Sequence, residues 1–448
     1  MRNYFLKLAL FLSSIVVYAQ AGHIMQGVGS VNMSMGGAAT AQPLDISGAI
    51  HWNPATLTLF DSKEMKFDLG LFFSSPELFS SLPPDMLGPG APSVSGSTMD
   101  DRGVSPMPAL AILWKKPDSR HTFAASAFGI SGFGVTFPEE SNNPLSGTFN
   151  PLDDSNPINY PQAAMGFGHI ESDYMLLQVG FSYAYKLSDK FSVGIQPNLD
   201  YAALELMPNP TANPTMAGYP STNKASSIGF GVQFGLFYDS GSGLKLGASY
   251  KTTQSFSDFE FDNTYLDNSE ATSKFNMDYP AILSFGMGFS GGDFDLALDY
   301  RNVYYENTDG FSTTGWTQTG SVSGFGWDNI SIISAGIQYK GIDKLPLRLG
   351  YTYSSNPIGE DVVFFNVPAT AIIKNAFQFG LGYEINDKFN LNGVYHYGTS
   401  DGATTGQMLS PMMVSPANPL GAIPGSTVSY DMTTSMVMVG VSYKIGSK

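Results

Sequence analysis

The sequence predicts an all-β protein, a transmembrane antiparallel β-barrel of about fourteen strands, and three observations predict it. Charged residues make up only 13% of the chain, aromatics another 13%, and glycine numbers 49, a balance too poor in charge for an ordinary soluble surface. Segment after segment alternates apolar and polar side chains with period two, as strands with one oily face do. The connections between these segments alternate short and long, the asymmetry that bacterial barrels show between their two ends.

Residues 1–21, MRNYFLKLALFLSSIVVYAQA, place Arg2 and Lys7 before an apolar core from Leu8 to Tyr18 and the small-residue series Ala19, Gln20, Ala21. This is the pattern of a secretory signal peptide, removed after Ala19 or Ala21; a signal anchor is the alternative. Losing Arg2 and Lys7 takes the formal charge from −16 to −18, which argues against nucleic acid as a partner. There is no cysteine, so disulfides and thiol chemistry are excluded. Beyond residue 21 no run of eighteen apolar residues occurs, so a membrane can be crossed only by a closed barrel, in which every backbone group is paired.

Residues 22–60 do not alternate; GAIHWNPATLTLF at 48–60 is polar and turn-rich. Alternation then begins, and residues 61–448 read as the barrel. Early strands are expected near 63–75, 106–115 and 120–131. A hairpin follows at 174–206, with Leu177, Val179, Phe181, Tyr183 and Tyr185 on one face and Gln178, Gly180, Ser182 and Ala184 on the other. Similar pairs run on to a last strand through Val437, Val439, Val441 and Tyr443. Tight connections at 116–119, 187–190, 239–243, 291–292, 341–344 and 386–387 separate long ones at 76–105, 132–173, 207–225, 257–276, 308–328, 357–372 and 400–429. No Lys or Arg lies on the apolar face of the clean hairpins, where each would cost about 2–4 kcal/mol near the bilayer midplane. The alternative, a soluble sandwich or propeller, would carry charge on that face.

Several inward positions are apolar: Phe237, Ile282, Ile332, Val394, Met436 and Met438. They are candidates for an apolar pocket, or they pack against whatever fills the barrel. The loops at 144–169 and 408–424 are rich in Met, Pro, Phe and Leu, side chains that suit a landing surface for greasy ligands or simple packing over the barrel mouth. Arg301, Lys251 and Arg348 fall on inward parity and are candidate partners for a ligand carboxylate; because Asp295 and Asp299 share the face of Arg301, internal ion pairing is the alternative. None of the five histidines sits in a triad pattern, so no enzyme is read here. The acidic pairs Asp100-Asp101 and Asp153-Asp154 read as exposed loop faces, and no metal or cofactor is called for.

The segment AGHIMQGVGSVNMSMGGAATAQPLDISGAIHWNPATLTLF, residues 21–60, resembles the N-terminal hatch of FadL-type outer-membrane transporters of long-chain fatty acids, whose relatives move aromatic hydrocarbons. Ala21-Gly22, Gly36-Gly37-Ala38-Ala39 and Asn53-Pro54-Ala55 carry the likeness, and the hairpin SYAYKLSDKFSVGI at 182–195 adds to it. The resemblance implies a monomeric fourteen-stranded barrel in a Gram-negative outer membrane, assembled with periplasmic chaperones and the barrel assembly machinery among outer-membrane lipids. It implies a hatch at 22–60 that folds inside and blocks the channel, with Gly36 and Gly37 permitting close packing, Pro54 fixing a turn and Trp52 wedged against the wall. It also implies an inward kink of the third strand, leaving a gap through which fatty acids or aromatic hydrocarbons slip sideways into the membrane when the hatch shifts. Gly129, Gly132 and Gly134 interrupt the matching stretch here; the alternative is that the strand ends at Gly129. Departing from the family, the chain closes on KIGSK with Tyr443 as its last aromatic residue. A surface adhesin or receptor, or a general porin, would share the scaffold.

Overall fold

The computed structural model describes residues 22–445; the expected signal peptide at 1–21 lies outside the described residues. Fourteen long strands form the wall: β1 (Lys63–Leu82), β2 (Val104–Lys115), β3 (His121–Phe137), β4 (Ile170–Lys186), β5 (Phe191–Met207), β6 (Ala225–Asp239), β7 (Leu244–Lys251), β8 (Ile282–Gly291), β9 (Phe294–Val303), β10 (Ile330–Tyr339), β11 (Leu347–Ser354), β12 (Asn375–Glu384), β13 (Phe389–Thr399) and β14 (Thr427–Ile445). Each is antiparallel to the next, and β14 closes on β1 from Lys63↔Ile445 to Ser81↔Thr427, so the sheet closes on itself as a barrel. The turns are short at one end and long at the other, as the spacing predicts. Two strands overrun their expected ends: β1 continues past residue 75 and β3 past 131.

Period two sorts the side chains. Phe181, Leu236 and Val439 stand outward, each about three-fifths exposed, while Gln178, Ser182 and Ala184 are buried on the inner face. An apolar belt this large around a closed wall is a lipid-facing surface. Among the described residues, no helix is long and apolar enough to cross a membrane.

Residues 22–60 lie inside the cylinder and are buried almost throughout. They form two short helices, α1 (Ser30–Ser34) and α2 (Ile46–Trp52), and a 3₁₀ turn at Pro54–Leu59. Asp45 caps α2 by accepting from the Gly48 amide at 3.0 Å, and Asn53 caps the 3₁₀ turn by accepting from the Ala55 amide at 3.1 Å. Pro54 opens that turn, where no amide is needed. The wall makes room with glycines. A Cβ on Gly235 would fall 2.1 Å from Asn53 Oδ1, one on Gly247 2.0 Å from the Thr40 carbonyl, and one on Gly350 2.1 Å from the Gly36 amide. Large outward and minimal inward side chains thus alternate on these strands, and the wall glycines that face the N-terminal segment have a packing reason.

Candidate functional site

Charged residues of the inner wall fasten the N-terminal segment. Asp68 accepts from the Ser30 amide at 2.8 Å and from its hydroxyl at 2.5 Å, and Lys66 pairs with Asp45. Across the lumen, Asp299 accepts from the Ala39 and Thr40 amides at 2.8 and 2.9 Å and from the Thr40 hydroxyl at 2.8 Å. Arg301 donates to Asp299 at 2.5 Å, to the Gly37 carbonyl at 2.8 Å and to Ser334 at 3.1 Å, while its guanidinium lies 3.5 Å from the Trp52 ring centroid. Buried ions tolerate this setting because each has an opposite charge and further hydrogen bonds.

The wall is incomplete beside β3. Pairing between β2 and β3 stops at Ala109↔Phe128, although β2 continues to pair β1 as far as Val104. Beyond that point β3 pairs β4 alone, with a register shift between Gly129 and Ser131. The bulge turns two successive residues, Ile130 and Ser131, into the interior, which is how a bulge re-aims a strand. The orphaned backbone is met from within: the Met25 amide donates to the Ile130 carbonyl at 3.1 Å and the Gly132 amide to the His23 carbonyl at 3.3 Å. A cavity of about 290 Å³ occupies this opening, lined among others by Met25, Met107, Phe133, Tyr174 and Met432.

An aromatic track leads to the opening from the long-loop end. Trp316, Phe364, Phe365 and Tyr219 line an apolar groove among the loops. Pro210, Val322, Phe365 and Pro368 of that groove also line a smaller pocket that reaches Phe325. Phe325 lies 5.9 Å from Phe133, and Phe133 stacks on Tyr174 at 4.9 Å, both at the opening. Beside the track, His23 stacks on Phe311 at 5.0 Å and meets Trp327 edge-on at 5.6 Å. Its Nδ1 is 2.8 Å from the Tyr305 hydroxyl, and burial pushes its pKa down to about 3, so the imidazole is neutral. Next to these rings runs a polar floor. Lys251 donates to Gln178 at 3.1 Å and Gln178 to Asp200 at 2.8 Å, yet His23 Nε2, Tyr174 OH, Tyr279 OH and Asp200 Oδ2 are buried with no partner.

The closed, fourteen-stranded antiparallel barrel is the fold that comparison with known proteins finds. Residues 160–445 match the family described as outer membrane protein transport protein (OMPP1/FadL/TodX). The chain belongs to this family. The solved structure of a Pseudomonas aeruginosa FadL homologue has a TM-score of 0.70 at 13% identity, over 95% of this chain and 100% of that one. The P. putida toluene transporter TodX gives 0.66 at 17%, over 94% and 100%, and the Ralstonia pickettii toluene transporter TbuX 0.62 at 18%, over 94% and 98%. At these identities the likeness concerns the fold. No curated protein sequence matches.

In this FadL/TodX-family barrel the residues singled out from sequence fall in several places. Gly36 and Gly37 have positive φ, 67° and 75°, and a Cβ on them would strike the Tyr351 carbonyl at 2.6 Å and the Gln26 carbonyl at 1.7 Å. Asn53, Pro54 and Ala55 form the capped turn, with Asn53 also donating to the Leu236 carbonyl at 2.9 Å. Arg301 is committed to Asp299 and the N-terminal segment, and Arg348 to Gln338 and Asn392, whereas Lys251 donates to Gln178 and lies 6.0 Å from the Tyr279 ring centroid. The six apolar candidates do not converge. Ile282 and Ile332 join the aromatic cluster, Val394, Met436 and Met438 pack with Met25 and Met33, and Phe237 stands apart near the 187–190 turn, paired with Ser192 and Gly247. Gly129 flanks the bulge, while Gly132 and Gly134 follow it within a strand that continues to Phe137. Asp100 accepts from the Thr136 amide at 2.6 Å, and Asp154 from the Ser97 amide at 3.2 Å. Sequence reasoning missed Glu64, Lys66 and Asp68; charges at alternate positions against Met65, Phe67 and Leu69 were the available signal. It also missed the loop aromatics Phe311, Phe325 and Trp327, which carry no periodicity.

Proposed function

We propose that this outer-membrane protein takes up hydrophobic compounds passively, and that its ligands are amphiphiles, long-chain fatty acids foremost. The observation that carries this reading is the apolar track from the loop groove past Phe325 to the gap beside β3, bordered by a polar floor with unmet valences. Burying an acyl chain is worth about 0.8 kcal/mol per CH₂, so the track holds a tail well. The buried ammonium of Lys251, which makes no direct ion pair among the described residues, and the unpartnered hydroxyls of Tyr174 and Tyr279 suit a head group that accepts and donates hydrogen bonds. A pure hydrocarbon would leave them unsatisfied.

In this reading residues 22–60 act as a hatch that denies the ligand a straight path through the lumen. The section from Ser30 to Leu59 is bolted to the wall by the Asp68, Lys66, Asp299 and Arg301 contacts, so release falls to the tip around His23–Met25. Lifting the tip from Ile130–Gly132 frees the inner side of the opening, and the ligand leaves laterally down its gradient. The barrel works as a monomer, since each wall contains the whole path.

Uptake of labelled hexadecanoate and labelled toluene by cells relying on this protein tests the proposal. Lys251→Met and Tyr279→Phe are expected to slow hexadecanoate and spare toluene. Equal effects on both would point to an aromatic hydrocarbon ligand, and no uptake of either above barrel-free cells would overturn the reading.

A further inference from the structure

The opening beside β3 has an upper rim as well as a floor. Above it, where β2 and β3 no longer pair, the loop leading into β2 takes over: the Asp101 amide donates to the Thr136 carbonyl at 2.8 Å, and Asp100 accepts from the Thr136 amide. From the next residue, Arg102, the side chain runs across the outer face of β3. It donates to the Ser172 carbonyl at 2.6 Å and pairs with Asp173, both on β4. Asp173 is held in turn by Lys224, which reaches Glu205 at 3.8 Å.

Gly134 is the saddle over which this side chain passes. A Cβ there would fall 1.5 Å from Arg102 Nη1 and 2.5 Å from the Ser172 carbonyl. The guanidinium can move aside, but the backbone carbonyl cannot, so the crossing needs glycine. Arg102 and Asp173 both line the cavity that fills the opening. The ion pair is partly shielded, with 18% of the Arg102 and 25% of the Asp173 side-chain surface exposed. Nothing else among the described contacts ties the β1–β2 loop to β4 at this level.

We propose that Arg102 is a specificity-determining residue: its strap over Gly134 sets the height of the side opening and so the girth of the solute that leaves through it. A slim tail passes beneath the strap, whereas a bulky one is turned back until Arg102 and Asp173 part. The inference rests on lateral exit and goes beyond it, naming what limits the exit. Asp173 keeps Lys224 when Arg102 is removed, so the variant is not left with a bare carboxylate.

The test compares uptake of hexadecanoate with uptake of 1-pyrenedodecanoic acid, whose ring system is wide. Arg102→Ala and Asp173→Asn are expected to raise the pyrene-to-hexadecanoate ratio by about fivefold, the upper range for one screened ion pair. Arg102→Lys, which retains a charge without the planar fork, is expected to fall between, and raised ionic strength to move the wild type toward Arg102→Ala. Folding of each variant is checked by its heat-modifiable band. Ser105→Trp, which fills the facing edge of the same cavity, separates the two ideas. If it leaves both uptakes unchanged, lateral exit is wrong and the strap with it. If it blocks both while folded Arg102→Ala keeps the wild-type ratio, the strap alone is wrong.

Discussion

The Ser131 hydroxyl donates a 2.8 Å hydrogen bond to the His23 carbonyl, so the bulge of β3 and the tip of the N-terminal segment hold each other across the inner face of the barrel. With the Gly132 and Met25 amides the contact amounts to a fragment of β-pairing, Ile24↔Ser131, in place of the pairing that β2 withholds. Ser131→Ala removes one of these bonds and keeps the strand. Bound ligand is expected to dissociate faster by about fivefold, the worth of one net hydrogen bond, as read by stopped-flow release of a fluorescent fatty acid. An unchanged rate would mean that the tip is not what retains the ligand.

His23 ties the same contact to pH. Its folded pKa of about 3 lies below the ordinary value near 6.5, so between those values the unfolded chain binds a proton that the folded one refuses. Stability therefore rises with pH through that window and its contribution is complete above it. The wild type is expected to lose more thermal stability than His23→Phe between pH 7.5 and pH 4.5, measured as the midpoint for loss of the heat-modifiable band. Parallel losses in the two proteins would show that His23 does not titrate this way.

Arg301→Ala strips Asp299 of its cation while leaving the carboxylate buried. Breaking such a pair costs about 3 kcal/mol or more, and a denaturant series in detergent micelles is expected to show it. The double variant Asp299→Asn/Arg301→Met removes both charges and is expected to be less harmed than Arg301→Ala. Greater harm in the double variant would make the Asp299 contacts to Ala39 and Thr40 the dominant bolt.

Gly235 tests the fit between wall and N-terminal segment. In Gly235→Val the new side chain enters the space of Asn53 Oδ1 and also approaches the Ala55 amide at 2.9 Å. The capped turn is expected to be displaced, and single-channel recording in planar bilayers to show a higher ion conductance than for the parent protein. A silent, folded variant would mean that the segment gives way without opening the lumen.

Much of the wall was legible because lipid and lumen impose opposite demands on alternate residues. Leu177 and Gln178 could be sorted by parity, and the spacing of the turns counted the strands. Parity also reports direction without depth, which is why Phe237 and Val394 looked like neighbours of Ile282 although the structure distributes them along and around the lumen. The charges of β1 followed the same rule, but Glu64, Lys66 and Asp68 acquire meaning only beside Ser30 and Asp45. The loop aromatics had no repeat to betray them.

By itself, the sequence determined a closed, lipid-embedded barrel and an N-terminal segment that could not belong to its wall, since a bilayer enforces a two-residue period that any reader can recognise. Tertiary structure alone decided which inward groups meet: that Arg301 grips Gly37 and Trp52, that His23 docks on the bulge at Ser131, and that Arg102 lies over Gly134. Those contacts join residues far apart in the chain, and packing inside a filled lumen obeys shape and charge complementarity, which has no period to read.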